Sequence, residues 1–116
     1  MKIIIFVLSI FFILLNACTQ SVEPENPEWI GKLIEEYKSQ PVGNPPQTIF
    51  RYEYNGQIVY YVPPQCCDQY SSLYDKNGNI IGAPDGGLSG AGDGKITDFF
   101  TERKNEKLIW KDSRQR

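Results

Sequence analysis

The sequence predicts an α+β domain in which an N-terminal amphipathic helix packs on an antiparallel sheet of four to five strands, with a glycine-rich loop. Three observations predict this fold. Apolar residues recur at helical spacing between Trp29 and Tyr37, two strand-turn-strand patterns follow, and glycines dominate residues 82–94. A helix followed by hairpins along the chain is typical of the α+β class.

The helix is predicted from its ends and its apolar stripe. Asn26 is a suitable N-cap, and Pro27 suits the first helical position. Glu28 is spaced to pair with Lys32 one turn later. We expect the helix to end two residues before Pro41, because a proline disfavours helical geometry in the preceding residue. The stripe that would cover the sheet consists of Trp29, Ile30, Leu33, Ile34 and Tyr37.

The first hairpin has the clearest local signal in the chain. Residues 47–54 and 57–62 are rich in aromatic and β-branched side chains. Asn55 and Gly56 between them favour the positive φ angles of a type I′ turn. Along this first strand, Ile49, Arg51 and Glu53 alternate with three aromatic side chains, so we expect two faces of unequal polarity.

Three further elements complete the predicted fold. A second hairpin is expected from residues 70–75, a turn over 76–79, and Ile80-Ile81. Asp98 is expected to cap one helical turn that ends at Glu102. Residues 107–111 are predicted to form the last strand, with Leu108 and Trp110 on one face.

The N-terminus predicts export and lipid anchoring. Lys2 precedes an apolar run over residues 3–15, and Leu15-Asn16-Ala17-Cys18 follows. A charged start, a short apolar segment and a small residue before the cleavage point are typical of a secretory signal. With the cysteine, the segment resembles the lipobox of bacterial lipoproteins. The resemblance implies cleavage before Cys18, lipid on its sulfur and an acylated N-terminus.

This interpretation divides the chain into four parts: a signal peptide over 1–17, a lipidated tether over 18–26, one domain over 27–112 and a flexible tail over 113–116. The apolar run is shorter than the roughly 20 residues that a transmembrane helix needs. We therefore expect a protein anchored in the cell envelope, at the outer membrane, with the periplasmic and surface faces both left open.

Charge and composition exclude several classes of function. The formal net charge is -2, and acidic and basic residues are interspersed. A basic field that could hold a phosphate backbone is missing, so we expect no nucleic-acid partner. The chain contains no histidine, which removes the commonest general base and zinc ligand. We expect no enzymatic activity and no cofactor.

A longer motif gives a family resemblance. Pro63-Pro64-Gln65-Cys66-Cys67-Asp68-Gln69-Tyr70 is followed by Gly78, Pro84, Gly86-Gly87, Gly90, Gly92-Asp93-Gly94 and Asp98-Phe99. This pattern resembles a small domain of unknown function found mostly in lipoproteins of Bacteroidota, over about residues 29–110. The resemblance supports the location and the fold class, and it implies no mechanism.

Cys66 and Cys67 are adjacent, which leaves two alternatives open. An oxidising envelope favours a disulfide between them. Consecutive Cα atoms lie only ~3.8 Å apart, whereas ordinary disulfides span ~4.4–6.8 Å, so such a bridge would be strained and reducible. The alternative is two free thiols pointing to opposite faces of an extended segment. Neither arrangement has the Cys-x-x-Cys spacing of redox catalysts.

The expected function is a non-catalytic envelope module that binds a protein, peptide or glycan. Its candidate contact surface comprises Tyr60, Tyr61, Tyr70 and Tyr74. These tyrosines are also well suited to packing within a sheet. The alternative is a calcium- or redox-responsive module that uses Cys66-Cys67 and the glycine loop. Its candidate calcium ligands are Asp85, Asp93 and Asp98.

Overall fold

The structure is a computed structural model that describes residues 26–66 and 68–115. Within these residues, five strands form one antiparallel sheet in the order β4-β3-β2-β1-β5. The α+β class and the predicted strand number are confirmed. The elements in chain order are α1 (Glu28–Lys38), β1 (Thr48–Tyr54), β2 (Gln57–Val62), β3 (Ser72–Asp75), β4 (Ile80–Gly82), α2 (Phe99–Glu102) and β5 (Lys104–Lys111).

Both predicted hairpins are present. Asn55 and Gly56 adopt φ angles of 50° and 73° between β1 and β2, as a type I′ turn requires. The second turn is held by Asp75, whose Oδ1 accepts hydrogen bonds from the backbone N–H groups of Asn77 and Asn79 at 2.8 and 3.0 Å. The strand before it begins at Ser72, two residues later than expected.

One face of the sheet packs against α1. Its buried residues, which we call the helix-side core, are Ile30, Ile49, Tyr60 and Val62. The ring of Trp29 contacts those of Tyr60 and Tyr74 at centroid distances of 5.3 and 5.1 Å. Further along the helix, Tyr37 stacks on Trp110 at 6.1 Å. The apolar stripe of α1 therefore lies against the sheet.

The start of α1 differs from the prediction. Pro27, not Asn26, occupies the N-cap position, and no side chain caps the helix. The Oδ1 atom of Asn26 is buried without a partner among the described residues. Pro27 contributes its carbonyl instead, which accepts a hydrogen bond from the Ile30 N–H at 3.0 Å. The predicted pair of Glu28 and Lys32 is confirmed at 3.4 Å.

The opposite face is covered by α2 and the segment that precedes it. Its buried residues, the loop-side core, are Tyr52, Val59, Tyr61, Leu73 and Phe99. Asp98 lies at the N-cap position of α2 but makes no side-chain cap. Its carboxylate instead accepts a hydrogen bond from the Tyr54 hydroxyl, because the long-range phenol competes with the local N–H groups for the same oxygen. The prediction of a side-chain cap at Asp98 was therefore wrong.

The last strand is longer than predicted and irregular. β5 pairs with β1 so that Trp110 is opposite Ile49, whereas Leu108 is opposite Phe50. Neighbouring residues of β1 point to opposite faces, and one extra residue in a partner strand reverses the alternation. Leu108 and Trp110 therefore lie on different faces, contrary to the prediction. Leu108 is 51% exposed, while Trp110 packs against the helix-side core.

The N-terminal predictions fall outside the described residues. The predicted signal peptide, Cys18 and nearly all of the predicted tether belong to residues 1–25. In the part of the chain that is described, none of the helices has the length and apolar character needed to cross a bilayer.

Candidate functional site

A cleft opens at the end of the sheet where α1 ends, β1 begins and β2 ends. It encloses about 350 Å³. Its lining residues are Tyr37, Gln40, Pro41, Gly43, Asn44, Gln47, Gln65, Cys66 and Gln69. A second cleft of about 200 Å³ adjoins it and shares Tyr37, Gln47, Gln65 and Gln69. Tyr70 and Ser72 are among the residues that line only the second. We call the two together the amide cleft.

The chemistry of the amide cleft is neutral. Among the residues that the structure describes, neither part is lined by an Asp, Glu, Lys or Arg side chain, although these residues make up 22% of the chain. Five of the lining residues carry side-chain amides, and each amide offers two N–H donors and one carbonyl acceptor. The cleft is therefore equipped to exchange hydrogen bonds with an uncharged ligand.

Two loops bring the amides together, one before β1 and one after β2. The backbone N–H of Cys66 donates to the carbonyl of Asn44 at 2.7 Å, which joins the two loops. Cys66 itself is disulfide-bonded. Its predicted partner, Cys67, lies outside the described residues, so the pairing of these two cysteines stays a prediction. The disulfide adds a covalent constraint to this wall of the cleft.

Arg114 fixes the helical side of the cleft. Its guanidinium donates to the carbonyls of Tyr37, Lys38 and Gln40 at 3.2, 3.0 and 3.0 Å. Tyr37 and Lys38 are the last residues of α1, where carbonyls lack donors from a following helical turn, and Gln40 follows the helix. The positions of Tyr37 and Gln40 at the cleft therefore depend on a contact with the C-terminal segment. We expected a flexible tail from residue 113, but Arg114 is held.

Asp112 orients this arginine. The Arg114 guanidinium donates to both oxygens of Asp112, at 3.0 and 2.8 Å. Asp112 is only 3% exposed, and its backbone N–H donates to the Gln47 carbonyl at 2.9 Å. The hydrogen bonds from Arg114 hold the pKa of the Asp112 carboxyl below its usual range. The pair thereby connects α1, the first cleft loop and the end of β5.

Gln47 carries an unsatisfied polar atom. Its Oε1 is shielded from solvent and has no hydrogen-bond partner among the described residues. An acceptor buried in this way costs about 1–3 kcal/mol. The side chain lines both parts of the cleft. A rotation of the amide that brought Oε1 to a hydrogen-bond donor of a ligand would therefore remove this cost.

Tyr37 contributes a neutral phenol. Burial, with a smaller contribution from the neighbouring Tyr74, raises the pKa of Tyr37 well above its ordinary value of 10.0. The hydroxyl therefore stays protonated at physiological pH and does not add charge to the cleft.

Tyr70 stands at the rim of the cleft. Its side chain is 58% exposed, and the glycine-rich segment lies behind its ring. A Cβ added at Gly87 would come within 2.5 Å of the ring, and Gly87 has a φ of 75°. The backbone N–H of Gly87 donates to the Gln69 carbonyl at 3.0 Å. Glycine at this position therefore allows the loop to support an exposed aromatic ring.

A comparison with family models identifies the domain. The model described as "Domain of unknown function (DUF6970)" matches residues 35–112, which is well over half of the chain. The chain belongs to the DUF6970 family. No curated protein and no solved structure matches it.

The match confirms the predicted domain of unknown function, whereas the lipoprotein character and the bacterial group stay predictions. Both loops of the amide cleft lie within the matched region. The cleft is therefore part of the DUF6970 domain itself.

The four tyrosines predicted as a contact surface do not form one in this DUF6970 domain. Tyr60 and Tyr61 are 3% and 6% exposed, and they belong to opposite cores. Tyr74 packs on Trp29. Consecutive residues of a strand alternate between faces, and here both faces are covered. Of these four, Tyr70 alone is exposed, and Tyr74 is half-buried.

The three predicted calcium ligands are engaged separately. The carboxylates of Asp85 and Asp98 accept hydrogen bonds from Tyr61 and Tyr54, and Asp93 accepts from the backbone N–H of Lys95 at 3.0 Å. Among the described residues, which include all three aspartates, no group of three acidic, Cys or His side chains could hold a metal.

Sequence reasoning missed the amides that line the cleft. The available signal was a repeated tripeptide: Pro45-Pro46-Gln47 and Pro63-Pro64-Gln65 stand at the two loops that face each other. Prolines favour extended, rigid loops, and a glutamine ends each pair. Only the pairing of β1 with β2 brings the two tripeptides to the same end of the sheet.

Proposed function

We propose that this protein is a non-catalytic lipoprotein of the cell envelope whose domain binds an uncharged ligand in the amide cleft. The observation that carries the proposal is the lining of the cleft, to which the described part of the chain contributes five side-chain amides and no charged group. Ligand sites are typically concave, with a small number of placed polar groups that fix orientation. A protein, a peptide and a glycan each offer uncharged hydrogen-bonding groups.

The N-terminal sequence supports the location. The signal-like segment ending at Ala17-Cys18 would direct export, and lipid on Cys18 would anchor the protein at the outer membrane. Residues 19–25 would then form a short tether to the domain. One acyl chain gives only reversible membrane binding, so stable anchoring would require the further acylation that the lipobox implies.

The chemistry of the cleft favours binding over catalysis. A hydrolytic or transfer reaction at neutral pH needs a nucleophile or a general base with a matched pKa. The amides do not titrate, and Tyr37 is held in its neutral form. The lining therefore supplies hydrogen bonds and shape, without a group to move protons.

A redox-responsive module is a second candidate, because Cys66 is both disulfide-bonded and part of the cleft wall. If Cys18 carries lipid, the only other cysteine in the chain is Cys67, and the bridge would join neighbours. Reduction would remove a local constraint on the backbone between Gln65 and Gln69. The calcium alternative is not carried further, since its three aspartates are engaged separately.

Thermal unfolding tests the binding proposal. The full-length protein in lipid vesicles is melted with neutral oligosaccharides, with peptides and with acidic small molecules. We expect one class to raise the melting temperature, because a ligand that binds only the folded state stabilises it. The rise should persist in Gln57→Ala, a matched control at the far end of β2, and disappear in a Gln47→Ala/Gln65→Ala double variant. No rise with any class would contradict the proposal.

Metabolic labelling tests the anchor. Cells fed an alkyne fatty acid should label the wild type and a Cys66→Ser/Cys67→Ser variant equally, since neither of these cysteines is the predicted attachment point. Cys18→Ser should abolish the label and release the protein from the membrane fraction. Equal labelling of Cys18→Ser and wild type would exclude the proposed anchor.

A further inference from the structure

We infer that the ligand of the amide cleft is a neutral saccharide of one or two sugar rings. This inference rests on the proposed function and narrows it to one class of ligand. Five properties of the cleft support it: its lack of charge, its amide groups, its exposed aromatic ring, the paired strands that border it and its volume.

The lack of charge selects against ionic ligands. Phosphates, uronic acids and free amino acids carry full charges that need a counter-charge when they leave water. Within residues 26–66 and 68–115, no Lys, Arg, Asp or Glu side chain lines the cleft, and its phenol at Tyr37 stays protonated. A ligand without net or local charge loses the least hydration free energy when it enters the cleft.

The amide groups match sugar hydroxyls. A hydroxyl donates one hydrogen bond and accepts others. A primary amide likewise both donates, through its NH₂ group, and accepts, through the carbonyl oxygen next to it. The buried Oε1 of Gln47 lacks a donor among the described residues, and a rotation of the amide would bring it to a sugar hydroxyl. Gln65 and Gln69 line both parts of the cleft, where they can contact neighbouring hydroxyls of one ring.

Tyr70 provides a surface for the apolar face of a sugar. The face of an aromatic ring is electron-rich, and the axial C–H groups on one side of a pyranose are weakly positive. Tyr70 is 58% exposed although Gly87 supports its ring. Exposure of a supported ring beside an amide-lined cleft suits stacking against a sugar.

The strands around the cleft disfavour a peptide. A peptide bound in extended form gains most of its main-chain hydrogen bonds by adding to an open strand edge. The three strands that border the cleft, β1, β2 and β3, are each paired on both sides. Pro63 and Pro64 in the cleft loop have no N–H to donate. A peptide would therefore find no open strand edge to extend at the cleft.

The volume fits a small saccharide. Ligand pockets typically enclose roughly 300–1,000 Å³, and the larger part of the cleft, at about 350 Å³, lies at the lower end of that range. The adjoining part adds room for a second ring beside Tyr70.

The test uses the full-length protein in fluorescent lipid vesicles, without glycoside detergents, which would compete for the cleft. Vesicles are applied to a microarray of neutral oligosaccharides and their uronic-acid or sialylated counterparts. We expect retention on neutral glycans, and titration with the best neutral disaccharide should give its Kd. Gln65→Ala and Tyr70→Ala should each weaken that binding about fivefold to tenfold, as expected for one lost neutral contact.

Controls separate this inference from the proposed function. Gln57→Ala should bind within about twofold of the wild type, since exposed substitutions away from a site change little. Tyr70→Phe should bind more tightly than Tyr70→Ala, because stacking requires the ring and not its hydroxyl. Preferential binding of acidic glycans or of peptides, with the same dependence on Gln65, would overturn the saccharide inference and leave the binding function standing. Absence of binding by every class in the melting screen would overturn both.

Discussion

At the residue scale, the tyrosines of the sheet act as polar anchors within its packing. On the loop-side face, the Tyr61 hydroxyl donates to Asp85 at 2.8 Å, and the hydroxyls of Tyr52 and Tyr54 donate to Glu106 and Asp98. Each carboxylate comes from a distant part of the chain. A buried tyrosine usually requires a hydrogen-bond partner, so the sequence indicates that partners exist, while only the folded chain decides which acids they are.

The Tyr61 anchor leads to a stability prediction. Tyr61→Phe removes the donor to Asp85 and should lower the free energy of unfolding by about 1–3 kcal/mol, because the partly buried carboxylate loses its hydrogen bond. Tyr70→Phe is the matched control, since that side chain is exposed, and it should stay within about 0.5 kcal/mol of wild type. Urea denaturation measures both. Equal effects of the two substitutions would contradict the anchoring role.

At the scale of elements, the segment between β4 and α2 is organised by close backbone approach. The backbone N–H of Gly92 donates to the Gly86 carbonyl at 3.0 Å, and the N–H of Asp93 donates to the Ala83 carbonyl at 3.0 Å. A Cβ at Gly92 would lie 1.9 Å from the Ala83 oxygen. The glycine content of this segment therefore reflects steric need at particular residues.

Gly92 and Gly90 form a matched pair for testing this element. Their φ angles are 75° and 74°, but a Cβ at Gly90 would meet nothing within 4 Å. Both alanine variants bear the cost of a left-handed backbone, about 1–2 kcal/mol. Gly92→Ala should lose additional stability, because its added methyl group would clash with the carbonyl oxygen of Ala83. Thermal melts of the two variants measure the difference, and the explanation fails if Gly90→Ala is as destabilised as Gly92→Ala.

Elements with local signals were predicted well from the sequence. Asn55-Gly56 determines the first hairpin through backbone preference alone, and the stripe of α1 follows from its spacing. The irregular pairing of β5 was missed, because the register shift between Leu108 and Trp110 arises only where β5 pairs with β1, which is distant in the chain. The predicted N-cap at Asn26 was wrong, since Pro27 takes that position in the fold.

At the scale of the whole molecule, titration should limit stability only at the extremes of pH. The pKa values of Asp75, Asp93 and Asp112 are lowered by hydrogen bonds, the first two chiefly from backbone N–H groups and the third from Arg114. Burial raises the pKa of Tyr52 to about 12, and it raises that of Tyr61 too. These carboxyls therefore titrate in the acid range and these phenols in the alkaline range. The chain has no histidine, the side chain that ordinarily titrates near neutrality.

The sign of each shift fixes the shape of the pH profile. A lowered carboxyl pKa stabilises the fold above the unfolded pKa of about 3.9, and this contribution is lost as pH falls through the folded pKa. A raised tyrosine pKa stabilises the fold below about 10, and this contribution is lost as pH rises further. We expect a nearly constant melting temperature between about pH 5.5 and 8.5. A step of several degrees near pH 6.5 would contradict this expectation.

The sequence by itself determined the two hairpins, the amphipathic helix and the α+β class, because turn chemistry and apolar periodicity act between residues close in the chain. The tertiary structure alone decided which side chains form a site. It buried Tyr60 and Tyr61 on opposite faces, because a sheet covered on both sides leaves neither face open. It also brought Gln47 and Gln65 together across paired strands. That juxtaposition depends on strand register, which residues far apart in the chain establish together.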